Sequence, residues 1–295
     1  IYSGVTSAPK DLKSVVESAD LLFDVGGLIP EDINTGNWTN NLDPEKTIVL
    51  GDHFVRLGGT VFTAVALEDV LVGITQRIKP VAKLATAEKL SPLPIIGNPT
   101  DSTNSANFYP RLQKMLRSGD VLVAETGTCM LYMSPMLLPE GVGFQTQALW
   151  GSIGWATPAT EGICMANKSG RTIVVTGDGS HQLTANEIGT MGRYGIKPII
   201  FVLNNALYGV EVVVSETGWK YDDLAKWNYS QLPAAMGCSS WYCVKVSTVA
   251  ELDAAIEKAN SFDGASYIEV MIPASESQPV PKQLQDHVYK ANIPA

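Results

Sequence analysis

The sequence predicts an α/β protein, with parallel sheets flanked by helices and two domains. Three observations carry that prediction. Strand-length apolar runs recur along the second half, as "DVLVAE", "RTIVVT", "KPIIFVL" and "SYIEVMI"; stretches of helical spacing separate them; and glycine or polar residues follow where a run stops. Continuous apolar strands joined by helices imply a parallel sheet covered on both faces.

The elements follow in order. Apolar spacing in "KDLKSVVESA" suits a short amphipathic helix, and "DLLFDVGG" is a buried strand-like run closed by a Gly-Gly turn. "KTIVLGD" repeats that strand-then-turn pattern, and "LEDVLVGITQRI" reads as a helix, which makes residues 1–78 one α/β unit. Periodicity lapses over 79–107, rich in Pro, Ser, Thr and Asn, and this segment reads as a linker. Residues 108–295 form the second domain. The chain begins without methionine, already entering a helix, and reads as starting inside something longer.

Composition narrows the function. The apolar content of 45% in 295 residues is that of an ordinary globular protein, and a net charge of −9 argues against nucleic acid and anionic membranes as partners. No stretch has the length of a membrane span and no secretion signal is present, so the chain reads as cytoplasmic. Cys129, Cys164, Cys238 and Cys243 show no zinc-type spacing and read as reduced thiols.

The chemistry falls at the strand ends, where open α/β sheets bind ligands. Glu125–Thr128 ("ETGT") follows one strand, Gly177–Ser180 ("GDGS") the next and Asn204-Asn205 a third. Between the last two, "LTANEIGTMGRYG" reads as a crossover helix, with Leu183, Ile188 and Met191 at helical spacing and Thr184 with Glu187 in the form of a capping box. Such a crossover returns the chain parallel, so Asp178 and Asn205 reach one edge. Glycines beside Asp178 let a ligand approach the backbone, and amides at a helix start favour phosphate. An anionic and a neutral oxygen suit Mg²⁺ bridging to a diphosphate.

These stretches, with "ALWGSIGWATPATEG" and "ADLLFDVGGLIPEDINTG", resemble thiamine diphosphate (ThDP) enzymes of the pyruvate and indolepyruvate decarboxylase branch, and the resemblance covers nearly the whole chain. It implies that 1–78 are the C-terminal part of a middle domain and 108–295 the diphosphate-binding domain. It implies Asp178, Asn205 and the Leu207 carbonyl as Mg²⁺ ligands, Gly177, Gly179 and Ser180 at the diphosphate, and Thr128, Gly151, Ser152, Ile153, Tyr208 and Gly209 around the rest of the cofactor. Ile153 would force the bent cofactor shape that forms the reactive ylide. Glu211 would be the active-site acid, kept so by an apolar pocket, because "VEVVV" is too apolar for an exposed face; Val210 and Met130 would line the substrate pocket.

The implied reaction is non-oxidative decarboxylation of a 2-oxo acid, pyruvate or an aryl or branched homologue, to an aldehyde. The readings weighed against it are an acetolactate-synthase-type carboligase and a non-catalytic ThDP-binding remnant. The family's pyrimidine-binding glutamate and His-His pair have no counterpart here, so the resemblance implies that a separate N-terminal polypeptide completes the site, in a dimer or tetramer of such pairs. His181 reads as a packing or hydrogen-bonded histidine, and Trp150, Trp155, Tyr208 and Trp227 as core aromatics.

Overall fold

The computed structural model describes residues 11–26, 40–79, 86–215 and 219–276. Parts of the 1–78, 79–107 and 108–295 segments lie outside the described residues. The chain divides into two compact units, Ile1–Leu90 and Ser91–Ala295.

In the first unit, helix α1 (Leu12–Glu17) is followed by strands β1 (Leu22–Val25), β2 (Thr47–Leu50), β3 (Phe54–Leu57) and β4 (Thr60–Thr63), then helix α2 (Leu67–Thr75). The strands lie in the order β1-β2-β3-β4, with β1 and β2 parallel and the rest antiparallel. The reading of this unit as strands and helices alone missed the β3–β4 hairpin. Its signal is present in "FVRLGGTVFT", where Gly58-Gly59 separates two β-branched runs and Gly58 takes φ +52°.

The unit boundary falls inside the 79–107 stretch, and residues 91–107 are tied to the second unit. Leu93 N–H donates to Gln113 at 2.6 Å, Arg111 Nη1 to the Ile96 carbonyl at 2.6 Å, and Val249 N–H to the Asp101 carbonyl at 2.9 Å. Asn104 and Asn107 form a reciprocal cap that starts helix α3 (Ser105–Met115).

The second unit continues with β5 (Val121–Ala124), α4 (Thr128–Met133), β6 (Gly143–Thr146), α5 (Ala156–Ala166), β7 (Thr172–Gly177), α6 (Asp178–Gln182), α7 (Glu187–Arg193), β8 (Ile199–Asn204), α8 (Gly209–Ser215), α9 (Leu232–Ala235), β9 (Tyr242–Val246), α10 (Val249–Ser261) and β10 (Ser266–Met271). Its six strands run parallel in the order β6-β5-β7-β8-β10-β9. The sequence reading found the central four and missed β6 and β9. Both are half-buried edge strands; β6 has no continuous apolar run, and the short "WYCV" at the start of β9 was passed over.

Period-two alternation divides the core between the faces. Ile173, Val175, Phe201 and Ile268 pack on one side with Phe108 and Leu112 of α3, while Val174, Ile200 and Val202 pack on the other with Ile188 and Met191 of α7. Each such side chain contributes about 1.5–3 kcal/mol by leaving water. The rigid sheet that results fixes its carboxyl edge. From β5 the chain turns outward to β6, and from β7 it turns the other way to β8, so the crevice between β5 and β7 is a topological switch point.

Candidate active site

Strand β7 ends at Gly177 and α6 begins at Asp178, which is 2% exposed. Its Oδ1 accepts from Gly179 N–H at 3.0 Å and its Oδ2 from Ala206 N–H at 2.7 Å. The second bond joins the end of β7 to the loop after β8. Asp178 therefore meets the segment around Asn205, as its spacing requires. Burial pushes its carboxyl up to about 6, against the pull of those amide donors. Of the flanking glycines, Gly179 is the one the protein itself needs: a Cβ there would stand 2.5 Å from Tyr208 Cε1 and 2.9 Å from Leu224 Cδ1.

The two asparagines face different surroundings. Asn204, the last residue of β8, is buried, and its Nδ2 donates to Glu269 Oε1 on β10 at 2.8 Å. Glu269, fully buried, also accepts from Ser230 N–H at 3.0 Å and pairs with Lys245 at 3.1 Å. Asn205 is half-buried, and its Oδ1 accepts from Leu207 N–H at 3.1 Å. Ala206 between them takes φ +59°, a strained conformation outside glycine. Residues 206–208 then pair with 222–224 through Tyr208 N–H to the Asp222 carbonyl at 2.9 Å and Leu224 N–H to the Ala206 carbonyl at 3.1 Å.

The β5 side of the crevice is organised by Glu125, which opens the "ETGT" stretch, and by Gln147, which the sequence reading did not single out. Glu125, fully buried, accepts from Thr126 N–H at 3.0 Å, from Ala156 N–H at 3.2 Å and from Thr176 Oγ1 at 3.4 Å, linking β5, β7 and the start of α5. Burial raises its pKa against those donors. Gln147 Oε1 accepts from Trp150 N–H at 3.3 Å and Ser152 N–H at 3.2 Å, and the Gln147 carbonyl accepts from Thr126 Oγ1 at 2.9 Å. Gly151 takes φ +61° and Gly154 +83°; a Cβ on Gly154 would stand 2.9 Å from Leu183 Cβ, so this loop lies directly on the end of α6. Ser152 and Ile153 are exposed on its crest, Ile153 at 39%.

Several expectations are corrected. Thr184 and Glu187 form no capping box, because Thr184 Oγ1 donates to the Gly154 carbonyl at 2.9 Å, and the crossover is two short helices, α6 and α7. Leu183 is exposed at the break between them. Met130 is a core residue on the buried face of α4, packed in one cluster with Cys129 and Met133. Trp150 is 78% exposed, although Trp155 does pack against the core. Glu211, in the first turn of α8, is exposed, because among the described residues no element covers the outer face of that helix. Val210, at the start of α8, faces Gly127, whose φ of +102° opens α4 at Thr128.

His181 is fully buried, with Nδ1 on Thr157 Oγ1 at 2.9 Å and Nε2 on the Tyr267 hydroxyl at 2.8 Å. Burial lowers it to about 4, so it stands as a neutral brace between α5, α6 and β10 and not as a base at the crevice.

The donor set fits a hard cation and a diphosphate. Asp178 is a buried carboxylate that accepts from the Gly179 and Ala206 amides, and a bound cation would relieve its burial. Among the described residues no three His, Cys, Asp or Glu side chains cluster as a metal site, so a cation here would rely on one carboxylate, neutral oxygens and phosphate. All four cysteines are free, and among the described residues no helix is long and apolar enough to cross a membrane.

Residues 125–270 match the family model described as thiamine pyrophosphate enzyme, C-terminal TPP binding domain. Similar curated proteins are the alpha-keto-acid decarboxylases of Mycolicibacterium paratuberculosis, 32% identical over 94% of this chain and 49% of that protein, and of Mycobacterium avium, 32% identical over 94% and 49%. The chain thus spans about half the length of the curated relatives it matches. Its fold is that of the benzoylformate decarboxylase from Polynucleobacter necessarius, with a TM-score of 0.74 at 22% identity over 94% of this chain and 53% of the other.

Proposed function

From a chain that belongs with the thiamine diphosphate-dependent decarboxylases and carries their C-terminal TPP-binding domain, we propose the diphosphate half of a site that converts a 2-oxo acid to an aldehyde and CO₂. The observation that carries this reading is the meeting of Asp178 with the 205–208 loop, through Ala206 N–H at 2.7 Å, at the switch point of the sheet.

In this reading Asp178, Asn205 and the Leu207 carbonyl hold Mg²⁺, and Gly177, Gly179 and Ser180 receive the diphosphate. Thr128, Gly151, Ser152, Tyr208 and Gly209 would line the remainder of the cofactor, and the exposed Ile153 would lie against it. ThDP, when bound, supplies the electron sink for loss of CO₂. Glu211 delivers from its carboxyl the proton that replaces CO₂ at the former keto carbon, and Val210 limits the substrate pocket. The exposure of Ile153 and Glu211 supports a second wall from a pyrimidine-binding half on a partner polypeptide, in a dimer or tetramer of such pairs.

The test is calorimetric titration of the native assembly with ThDP, with and without Mg²⁺, followed by assay against a panel of 2-oxo acids. Asp178→Asn should weaken Mg²⁺-dependent ThDP binding by about tenfold or more. Glu211→Gln should keep ThDP binding and lose about 10²–10⁴-fold in aldehyde formation. ThDP binding that ignores Mg²⁺ and survives Asp178→Asn would sink the reading. Intact mass of the assembly decides whether the companion half is a separate chain.

A further inference from the structure

The second unit has a cleft at the opposite edge of its sheet, beneath the amino ends of β7, β8 and β10. Its volume is about 610 Å³, within the range of small-molecule sites. Nothing in the proposed reaction uses it.

The charge at this cleft differs from that of the chain as a whole. Arg117, Lys168, Arg171 and Lys197 line it in a chain of net charge −9. Arg171 is committed to Asp120, at 2.9 and 2.6 Å, and to the Met115 carbonyl at 3.0 Å; Lys197 is committed to Asp263 at 2.8 Å. Arg117 and Lys168 have no side-chain ion-pair partner among the described residues. Helices α5, α7 and α10 end here, and their carbonyl ends attract cations. Backbone amides already cap them in part, as in Asn167 N–H to the Ile163 carbonyl at 2.7 Å and Phe262 N–H to the Lys258 carbonyl at 2.9 Å. Arg117 and Lys168, which carry no side-chain ion pair among the described residues, are the charges that must outweigh those helix ends for an anion to bind here.

The floor and wall add independent observations. Thr172 lines the cleft at 2% exposure, and the Cys164 thiol is the side chain that interacts with its Oγ1. On the wall, Tyr194 is 58% exposed and Met165 47%, together a surface for a planar ring.

We propose that this cleft binds a nucleoside-monophosphate-sized anion, with its phosphate on Lys168 and Arg117 and its ring against Tyr194 and Met165. The inference does not depend on the thiamine reading. The cleft and Asp178 lie at opposite ends of the six-residue β7, about 20 Å apart.

The test titrates the full chain with AMP, adenosine and inorganic phosphate separately, read by calorimetry and by backbone amide shifts. AMP should bind saturably and at least about tenfold more tightly than adenosine or phosphate, with shifts confined to residues near 164–172 and 194–199. Lys168→Glu and Arg117→Glu, both exposed changes, should each weaken AMP by about tenfold. No saturable binding up to about 5 mM AMP would overturn the proposal. So would phosphate binding as well as AMP, affinity unmoved by both charge reversals, or shifts centred on 177–180.

Discussion

Beneath the carboxyl edge of the second unit lies a layer of buried polar side chains, and above it an open rim; the two are built on opposite principles. In the layer, Glu125, His181 and Glu269 are fully buried, and each makes two or more hydrogen bonds. On the rim, Ile153, Trp150 and Glu211 are exposed. The contrast teaches where precision comes from. A group at the crevice must be held to within a fraction of an ångström, and where its side chain is exposed, as for Glu211, burial cannot do the holding. The holding falls to neighbours behind it: Glu269 takes the side chain of Asn204 and leaves Asn205 to the crevice, and Thr184 pins the loop that carries Gly151 and Ile153.

The sharpest way to break this comparison is to empty the layer. Glu269→Ala orphans the Asn204 amide and Ser230 N–H, and should cost about 3–5 kcal/mol by urea unfolding. A loss under about 1 kcal/mol would show that the layer holds nothing. The next effect depends on pH. His181 is lowered by burial to about 4 from an unfolded value of 6.5, so the unfolded chain binds the extra proton between those values. Stability from the neutral ring is full above pH 6.5 and is lost as pH falls towards 4, by about 3 kcal/mol in all. Asp178 acts with the opposite sign: raised to about 6, its protonated form favours the fold at low pH, and that advantage is lost as pH rises from 3.8 through 6. Since His181→Leu retains Asp178, the difference between the two unfolding curves isolates the histidine. Identical acid slopes in both proteins would remove His181 from the layer.

The strand-end motifs were legible in the sequence; the exposure of Trp150 and Glu211 on the rim and the pairings within the layer were not, for a physical reason. Gly177-Asp178-Gly179 and Asn204-Asn205 announce themselves because glycine and polar residues interrupt apolar strands, and a strand–helix–strand crossover fixes their common edge. The layer depends on pairings far apart in the chain: His181 with Tyr267, Asn204 with Glu269, Glu125 with Ala156. Nothing local marks these, and Glu269 passes unremarked inside "SYIEVMI", which reads as a strand. Local pattern also misled at Thr184 and Glu187, whose spacing fits a cap while the hydroxyl bonds Gly154 instead, and at Met130, where helical position alone does not say which face is core.

Two smaller effects sharpen the boundary between layer and rim. Thr184 lies on it, half-buried, with one hydrogen bond at 2.9 Å holding the Gly154 carbonyl. Thr184→Val keeps the shape, and should cost about 1 kcal/mol in unfolding while loosening the 150–155 loop, read as faster amide exchange there. Unchanged exchange would assign the loop's order to Gln147 alone. Trp150, at 78% exposure, tests the rim itself. Its ring leaves little apolar surface buried in this chain, so Trp150→Ala should change the unfolding free energy of the isolated chain by no more than about 0.5 kcal/mol. A partner wall, if it covers the rim, buries that ring, and the same substitution should then weaken the assembly at limiting concentration by sedimentation analysis. Loss of stability in the isolated chain beyond about 2 kcal/mol would mean that the rim is packed from within, and the contrast with the layer would fail.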